Sequence, residues 1–284
     1  MGLLDRTDLV ASYYTLTGAH LTLPPRHPLA ARAEAAAAAG FTGLALAPAE
    51  AAAGVTAVRA AAGGLAVPEL EPLKGWDSGG RGDEEAVFAL ADAFGSRQVT
   101  TIQLVDDLPA DLLAERFAGL CERAAAHGLG VGFEPRANSP VSTPARAAAL
   151  VRASGAANAG IVLDAYHLHR AGVTLADLAP VADLVVSLQL NDMLAEPRPD
   201  PAEDALEFRL VPGEGAIDLP GWLAGLAGLG IDVPIAVEAL SREHNARPLA
   251  EAAARAAEGA RRALAAAREL AAHQPDRPTG HSAR

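Results

Sequence analysis

Eight short apolar runs alternate with helical stretches rich in Ala, Leu, Arg and Glu along this 284-residue chain. Strands that alternate with helices form parallel sheets, because each helix carries the chain back to the edge where the next strand begins. Eight such units in one chain favour a closed (β/α)8 TIM barrel of the α/β class over an open sheet. The predicted strands lie near residues 9–16, 42–47, 65–70, 98–104, 129–134, 160–164, 184–190 and 234–239.

Glycines mark the predicted ends of several helices. Gly40, Gly128 and Gly230 each stand between a helical stretch and the next apolar run, where a helix ordinarily stops. No internal linker or longer repeat interrupts the alternation, so we predict one barrel domain over residues 1–272. The remaining residues, 273–284, read HQPDRPTGHSAR and are predicted to be a disordered tail.

Two connections are longer than a minimal barrel needs. The segment 71–82 is rich in glycine and follows the third predicted strand, and the segment 191–213 is rich in proline and acidic residues. Long loops inside a compact domain are usually functional or disordered. We therefore expect both segments at the active face, where they could act as lids.

The charge balance excludes several classes of partner. The chain carries 23 basic and 35 acidic residues, a formal net charge of −12. This sign disfavours nucleic acid and anionic membranes, and no run approaches the apolar length of a membrane helix. The single cysteine, Cys121, excludes an intrachain disulfide and a thiolate zinc site. With no apolar signal segment at residues 1–10, a cytoplasmic location is expected.

Four oxygen-bearing side chains stand where four apolar runs end: Glu134, Asp164, Gln189 and Glu238. Any one of them could be the first solvated residue of a loop. Four together predict ligands that converge on one hard divalent cation at the carboxyl end of a barrel. The glutamine favours Mg²⁺ or Mn²⁺, with Co²⁺ or Zn²⁺ as alternatives.

His167 and Arg209 are the other candidate site residues in the second half of the chain. His167 stands three residues after Asp164, a spacing that can direct both side chains to the barrel mouth, where a neutral imidazole could transfer a proton or bind a substrate hydroxyl. The structural alternative is an aspartate that caps a helix beside a hydrogen-bonded histidine. Arg209 precedes a Gly-rich loop and could bind a carboxylate, a phosphate or a ketone oxygen of the substrate.

Three residues near the third strand could contact the substrate. Glu69 and Glu71 flank the predicted end of that strand, and Trp76 lies in the loop that follows. Glu69 and Trp76 are predicted to bind substrate, with Lys74 as a further residue of the pocket wall. A solvent-exposed rim is the alternative for the two glutamates.

The motifs GFEP, LDAYHLHR, QLND, RLVPGEGAIDL and VEAL occur in this order between residues 132 and 240. In this order they resemble the xylose-isomerase-like TIM-barrel superfamily, in particular its sugar phosphate isomerase/epimerase group. The resemblance places Glu134, Asp164, Gln189 and Glu238 on the metal-ligand positions of the superfamily. It also places His167 on an active-site position and Arg209 on a substrate-binding position.

Gln189 departs from the commonest pattern, because many members carry histidine at that position. Glutamine there resembles the bacterial 3-dehydroshikimate dehydratases of the same fold. The related endonuclease IV architecture needs further histidines from early strands, which this chain lacks in matching motifs. DNA repair is therefore not expected.

The resemblance implies a metal-dependent isomerase or epimerase that acts on a small polyhydroxylated carbonyl compound through an enediolate. Glu134 or Glu238 would remove the proton next to the carbonyl group, and His167 would assist. A metal-dependent dehydratase of the 3-dehydroshikimate type is the first alternative, and a non-catalytic sugar-binding barrel is the second. The expected partner is a small polyol or keto acid, and a homo-oligomer remains open.

Overall fold

The computed structural model describes residues 2–273, and these contain the eight predicted barrel strands in the predicted order. The barrel strands are β1 (Leu9–Ala11), β2 (Gly43–Leu44), β3 (Glu69–Leu73), β4 (Gln98–Thr101), β5 (Gly130–Phe133), β6 (Ala159–Asp164), β7 (Val185–Leu190) and β10 (Ile235–Val237). Between β7 and β10 the chain forms β8 (Asp192–Met193) and β9 (Arg209–Leu210), which pair with each other outside the barrel sheet. All the barrel strands are parallel to their neighbours. The predicted TIM barrel is confirmed.

The strand order around the sheet is β2, β1, β10, β7, β6, β5, β4 and β3. Isolated parallel bridges, Gly43 with Ala66 and Leu46 with Leu70, join the two edge segments and nearly close the barrel. This order makes β10, β7, β6 and β5 consecutive neighbours. Side chains at their carboxyl ends therefore meet, although the outermost two are more than a hundred residues apart in the chain.

Helices surround the barrel and bury their apolar faces against the strands. They are α1 (Leu29–Ala38), α2 (Val55–Ala61), α3 (Glu84–Phe94), α4 (Ala110–Ala125), α5 (Pro144–Ser154), α6 (Ala165–Arg170), α7 (Leu175–Leu178), α8 (Pro201–Glu207), α9 (Leu219–Gly228), α10 (Arg242–Asn245) and α11 (Leu249–His273). Gly40, Gly128 and Gly230 have positive φ angles just after α1, α4 and α9, as expected for helix ends. None of the described helices is long and apolar enough to span a membrane.

Four predicted strands differ from the structure by three residues or more. The strands predicted near residues 42–47 and 98–104 end earlier, at Leu44 and Thr101. The first strand ends at Ala11, and Tyr13–Leu16 form a 3-10 helix, because the amide of Ser12 donates to the Val237 carbonyl and turns the chain over β10. The third strand runs from Glu69 to Leu73, later than predicted, since its charged residues face the barrel interior and do not mark its end. The predicted disordered tail lies outside the described residues, apart from His273, which ends α11.

The long segment 191–213 is structured. It contains the short antiparallel strands β8 (Asp192–Met193) and β9 (Arg209–Leu210) with α8 between them. Asp192 anchors it, because its carboxylate accepts hydrogen bonds from the amides of Gly213, Gly215 and Ile217 at 3.0 Å each. This hairpin carries Arg209 over the mouth of the barrel.

Packing in the lower barrel depends on two glycines. Gly132 and Gly160 lie against Val186, where the register between β6 and β7 shifts. A Cβ atom at position 160 would overlap Val186 and come within 3.0 Å of the Leu184 carbonyl oxygen. Alanine at this position should therefore disturb the backbone as well as a side chain.

We expect Gly160→Ala to lower the free energy of unfolding by about 1–3 kcal/mol, the usual cost of overpacking a core. Gly228→Ala is the matched control, because a Cβ atom at this α9 position meets no heavy atom within 4 Å. Thermal unfolding of both variants beside the wild type tests the difference. Equal melting temperatures for Gly160→Ala and the wild type would contradict this account.

Candidate active site

The four predicted oxygen donors lie at the carboxyl ends of four consecutive barrel strands. Glu134 follows β5, Asp164 ends β6, Gln189 lies near the end of β7 and Glu238 follows β10. All four side chains are buried. Glu134, Gln189 and Glu238 line one pocket, and Asp164 lies beneath Arg209 at its base.

The Arg209 guanidinium lies between two of the candidate ligands. Its Nη1 donates to Asp164 Oδ2 at 2.8 Å and to Glu238 Oε2 at 2.7 Å. Its Nε donates to the Ala205 carbonyl at 2.7 Å, which fixes the side chain from the α8 side. One buried cation therefore neutralises the inner end of the pocket in this structure.

Asp164 is held by donors on several sides. It caps α6 by accepting the His167 amide at 2.8 Å, and it accepts Asn191 Nδ2 at 2.7 Å. Burial opposes its ionisation, but Arg209 and the other donors outweigh burial and lower its pKa. Asp164 can therefore cap α6 and belong to the candidate site at the same time.

Two carboxyl groups of the pocket, Glu134 and Glu238, have raised pKa values. Burial and the negative charge of Asp164 raise the pKa of Glu134 to about 8. Burial also raises the pKa of Glu238 well above its ordinary value, although Arg209 opposes the shift. A carboxyl group that titrates near neutral pH can both accept and return a proton.

His167 lies between Glu134 and Arg209. Its Nε2 is 3.5 Å from Glu134 Oε1 and 3.1 Å from Arg209 Nη2. A guanidinium can only donate, so Nε2 accepts and the imidazole is neutral. Burial and the charge of Arg209 lower the pKa of His167 to about 3, which agrees with a neutral ring at ordinary pH.

Gln189 has one occupied and one free polar atom. Its Nε2 donates to Glu71 Oε2 at 3.1 Å, and Glu71 Oε1 accepts the Tyr13 amide at 2.8 Å. Its Oε1 is buried and has no hydrogen-bond partner among residues 2–273. A buried acceptor without a partner is costly, and it is free to bind a ligand atom or ion.

Glu69 does not reach the pocket. It is buried inside the barrel, where it accepts hydrogen bonds from Thr100 Oγ1 and from Ser187 Oγ at 3.4 Å. This position agrees with neither the predicted contact with substrate nor the predicted solvent-exposed rim, because Glu69 lines neither the pocket nor the surface. Glu71 is buried too, but it lines the pocket.

We expect Glu69→Gln to reduce the pH dependence of stability. Burial and the neighbouring Glu71 raise the pKa of Glu69 to about 8. The unfolded value is lower, about 4.3. The stabilisation by the bound proton is therefore complete below about pH 4 and is lost as the pH rises through 8. In urea unfolding from about pH 5 to 9, the free energy of unfolding of Glu69→Gln should increase relative to that of the wild type as the pH rises. A difference between the two proteins that does not change with pH would contradict this prediction.

Trp76 is a core residue, contrary to its predicted contact with substrate. Its indole N–H donates to the Ile102 carbonyl at 3.0 Å, and its ring packs against Phe117 and Phe133. The side chain is 1% exposed and does not line the pocket. Lys74, two residues earlier, does line it.

Sequence reasoning missed several residues that shape the site. Asn191 orients Asp164, and Arg136 lines the pocket directly after the GFEP motif. Asp204 in α8 accepts hydrogen bonds from the Tyr166 hydroxyl at 2.6 Å and from Arg170 Nε at 2.8 Å. These bonds tie the hairpin to α6. Of these residues, only Asn191 could have been found from the sequence, because it stands in the QLND motif two residues after Gln189.

The four candidate ligands are of the types that bind a divalent cation. In this structure, however, the guanidinium of Arg209 occupies the space between two of them. Three carboxylates and the free Gln189 oxygen are the hard oxygen ligands that Mg²⁺ and Mn²⁺ prefer. Within residues 2–273, however, no three His, Cys, Asp or Glu side chains are close enough together to hold an ion as they stand. The guanidinium of Arg209 accounts for this spacing, because it lies where the two carboxylates converge.

Comparison with known proteins places this site in a family. The 3-dehydroshikimate dehydratase of Pseudomonas aeruginosa is 35% identical over 141 residues, which is 48% of this chain and 22% of that protein. A fusion of a xylose isomerase-like TIM barrel with 4-hydroxyphenylpyruvate dioxygenase has 24% identity and a TM-score of 0.76. The match covers 96% of this chain and 45% of the fusion. The chain thus corresponds to less than half of either protein.

Another solved structure, unlike the fusion protein, matches this chain over nearly its own full length. The IolI protein, whose structure contains a zinc atom, has 18% identity and a TM-score of 0.74 over 91% of this chain and 98% of its own. At this identity the likeness establishes the fold alone. The xylose isomerase-like TIM-barrel family matches residues 33–270. The chain therefore belongs to the xylose isomerase-like TIM-barrel family.

Proposed function

We propose that this protein is a divalent-metal-dependent enzyme that removes a proton next to the carbonyl group of a small hydroxylated substrate. The Gln189 Oε1 atom carries the proposal, because it is a buried acceptor without a hydrogen-bond partner among residues 2–273, beside three carboxyl groups of the kind that bind a hard cation. Glu134, Asp164, Gln189 and Glu238 would hold the cation once Arg209 withdraws. When bound, a divalent cation supplies Lewis-acid stabilisation of a carbonyl or enolate oxygen.

The reaction we favour is dehydration of a cyclic hydroxylated keto acid of the 3-dehydroshikimate type. The relative with 35% identity catalyses this kind of reaction according to its name, and Gln189 agrees with the same group. Glu238 would accept the proton from the carbon next to the carbonyl, and the electron pair would enter the enolate. Glu134 would give a proton to the hydroxyl on the next carbon. As that C–O bond breaks and water leaves, the enolate electron pair would form the new carbon–carbon double bond.

Glu134 suits the acid role better than His167. The raised pKa of Glu134 keeps a proton available near neutral pH, whereas burial and Arg209 lower the pKa of His167 and leave the ring neutral. His167 would hydrogen-bond a substrate hydroxyl and orient it. Of the two roles predicted for His167, proton transfer and binding of a substrate hydroxyl, we therefore favour the second.

Isomerisation or epimerisation is the second candidate. Glu134 and Glu238 line the same pocket from β5 and β10, which are separated by two strands. Two carboxyl groups on different sides of one carbon could remove a proton from one face and return another to the opposite face. This reaction shares its first step with dehydration.

The test is a product assay with purified protein, with Mn²⁺ or Mg²⁺ added and after treatment with chelator. 3-Dehydroshikimate should give an aromatic product with strong ultraviolet absorbance only when the cation is present. Keto-sugars and inososes, followed by NMR, test the second candidate. Equal turnover of any of these compounds with and without the cation would refute metal dependence, and no turnover of any would refute the proposed reaction class.

A further inference from the structure

Two basic side chains of the pocket wall have no acidic partner. Lys74 follows β3 and Arg136 follows β5, and both line the same pocket as Glu134 and Glu238. Among the carboxylates of residues 2–273, none lies within ion-pair distance of either side chain. At the inner end of the pocket, by contrast, the cation Arg209 is paired with Asp164 and Glu238.

The Arg136 side chain is held by a backbone carbonyl, and one of its nitrogen donors is not used within residues 2–273. Its Nη2 donates to the Gln103 carbonyl at 2.6 Å, which fixes the guanidinium. Its Nε is buried and has no hydrogen-bond partner. A buried donor without an acceptor is unfavourable, and an anionic ligand would correct this.

Lys74 lies at the entrance to the pocket. It lines both the inner pocket, about 90 Å³, and the wider outer groove, about 820 Å³. Burial lowers the pKa of Lys74, and the nearby charge of Arg136 lowers it further, whereas Asp83 acts in the opposite direction. Lys74 and Arg136 line the same pocket, so an anion bound there would be attracted by both positive charges.

We propose that Lys74 and Arg136 form a subsite for the carboxylate of the substrate, which orients its carbonyl end toward the inner end of the pocket. This inference rests on the proposed function, because it names the substrate as a keto acid. Arg136 can offer N–H groups in a planar fork, and Lys74 adds a mobile ammonium at the entrance. At the inner end the guanidinium of Arg209 is already paired with Asp164 and Glu238, so Lys74 and Arg136 are the better partners for the substrate carboxylate.

The experiment measures binding of shikimate, the analogue with a hydroxyl in place of the reactive ketone, and of its methyl ester by calorimetry. The wild type should bind the acid about 10- to 100-fold more tightly than the ester, the worth of hydrogen bonds to a charged group. Lys74→Met and Arg136→Met should each reduce this ratio, and the double variant should bring it near one. The melting temperature of each variant checks folding.

Arg81→Met is the matched control, because Arg81 is an exposed arginine of the same loop as Lys74 and pairs with Glu84. It should keep the wild-type ratio. Should Arg136→Met fail to fold, Arg136→Lys with Lys74→Met supplies the same comparison. An unchanged ratio in the variants, or a wild type that does not distinguish acid from ester, would overturn the subsite.

Three further outcomes test the subsite and the proposed function separately. Tight binding of a sugar phosphate but not of shikimate would overturn the assignment of a carboxylate. A preference for the acid that depends on Lys74 and Arg136 would support the subsite even if 3-dehydroshikimate were not dehydrated. Turnover of 3-dehydroshikimate that is unaffected by Lys74→Met and Arg136→Met would support the function and overturn the subsite.

Discussion

Glu238→Gln should lower turnover about 10²- to 10⁴-fold, the usual contribution of a general base. Glu238 lines the pocket, and burial raises its pKa toward the pH at which an enzyme works. Glutamine keeps the shape and can still accept the hydrogen bond from Arg209, but it cannot take up a proton. The variant should therefore fold and bind ligands while losing the proton-transfer step.

Steady-state kinetics with 3-dehydroshikimate and Mn²⁺, together with circular dichroism, measure this effect. Glu243→Gln is the matched control, because Glu243 is an exposed glutamate of α10 five residues away. It should retain wild-type kinetics. Full activity in Glu238→Gln would remove Glu238 from the mechanism and leave Glu134 as the candidate base.

Arg209→Met should destabilise the metal-free protein by about 3–5 kcal/mol, the usual cost of leaving a buried charge without its partner. Arg209 is the cation that contacts both Asp164 and Glu238 and that also donates to His167. Without it, buried carboxylates repel each other. Added Mn²⁺ should then raise the melting temperature of the variant more than that of the wild type, where the ion must first displace the guanidinium.

Differential scanning calorimetry with and without Mn²⁺ tests this prediction. Arg242→Met is the control, because Arg242 is an exposed arginine whose ion pair with Glu207 lies at the surface. Its effect should stay below about 1 kcal/mol. An equal metal-induced shift in Arg209→Met and the wild type would show that the guanidinium and the ion do not compete.

The fold and the strand-end donors could be predicted because their signals are local. A short apolar run followed by one oxygen-bearing side chain is visible in the sequence, and eight alternating units leave few ways to connect parallel strands. Glu134 and Glu238 are more than a hundred residues apart, and only barrel closure brings them to one pocket. The prediction of the site thus followed from the prediction of the fold.

The roles of Glu69 and Trp76 could not be predicted because they depend on distant contacts. A glutamate near the end of an apolar run is normally a boundary residue, but Thr100 and Ser187 supply hydrogen bonds that allow Glu69 to be buried inside the barrel. A tryptophan in a Gly-rich loop resembles a pocket residue. Trp76 instead packs on Phe117 of α4, and no local pattern indicates that contact.

The position of Arg209 was the other unpredicted feature. A substrate-binding arginine was expected at this point of the chain, but its contact with two candidate metal ligands depends on the hairpin of β8 and β9. That hairpin lies in the segment expected to be a loop. Its position over the barrel depends on Asp192 and Asp204, whose partners are amides and side chains far from each in sequence.

The most direct test of the central claim is a titration of the metal-free protein with Mn²⁺, followed by electron paramagnetic resonance. The strand-end donors should bind one ion per chain, and Gln189→Leu should weaken that binding. Gln103→Leu should not, although Gln103 is also a buried glutamine with a free Oε1. No stoichiometric binding to the wild type, or equal binding to the wild type and Gln189→Leu, would contradict a metal centre at the ends of these strands.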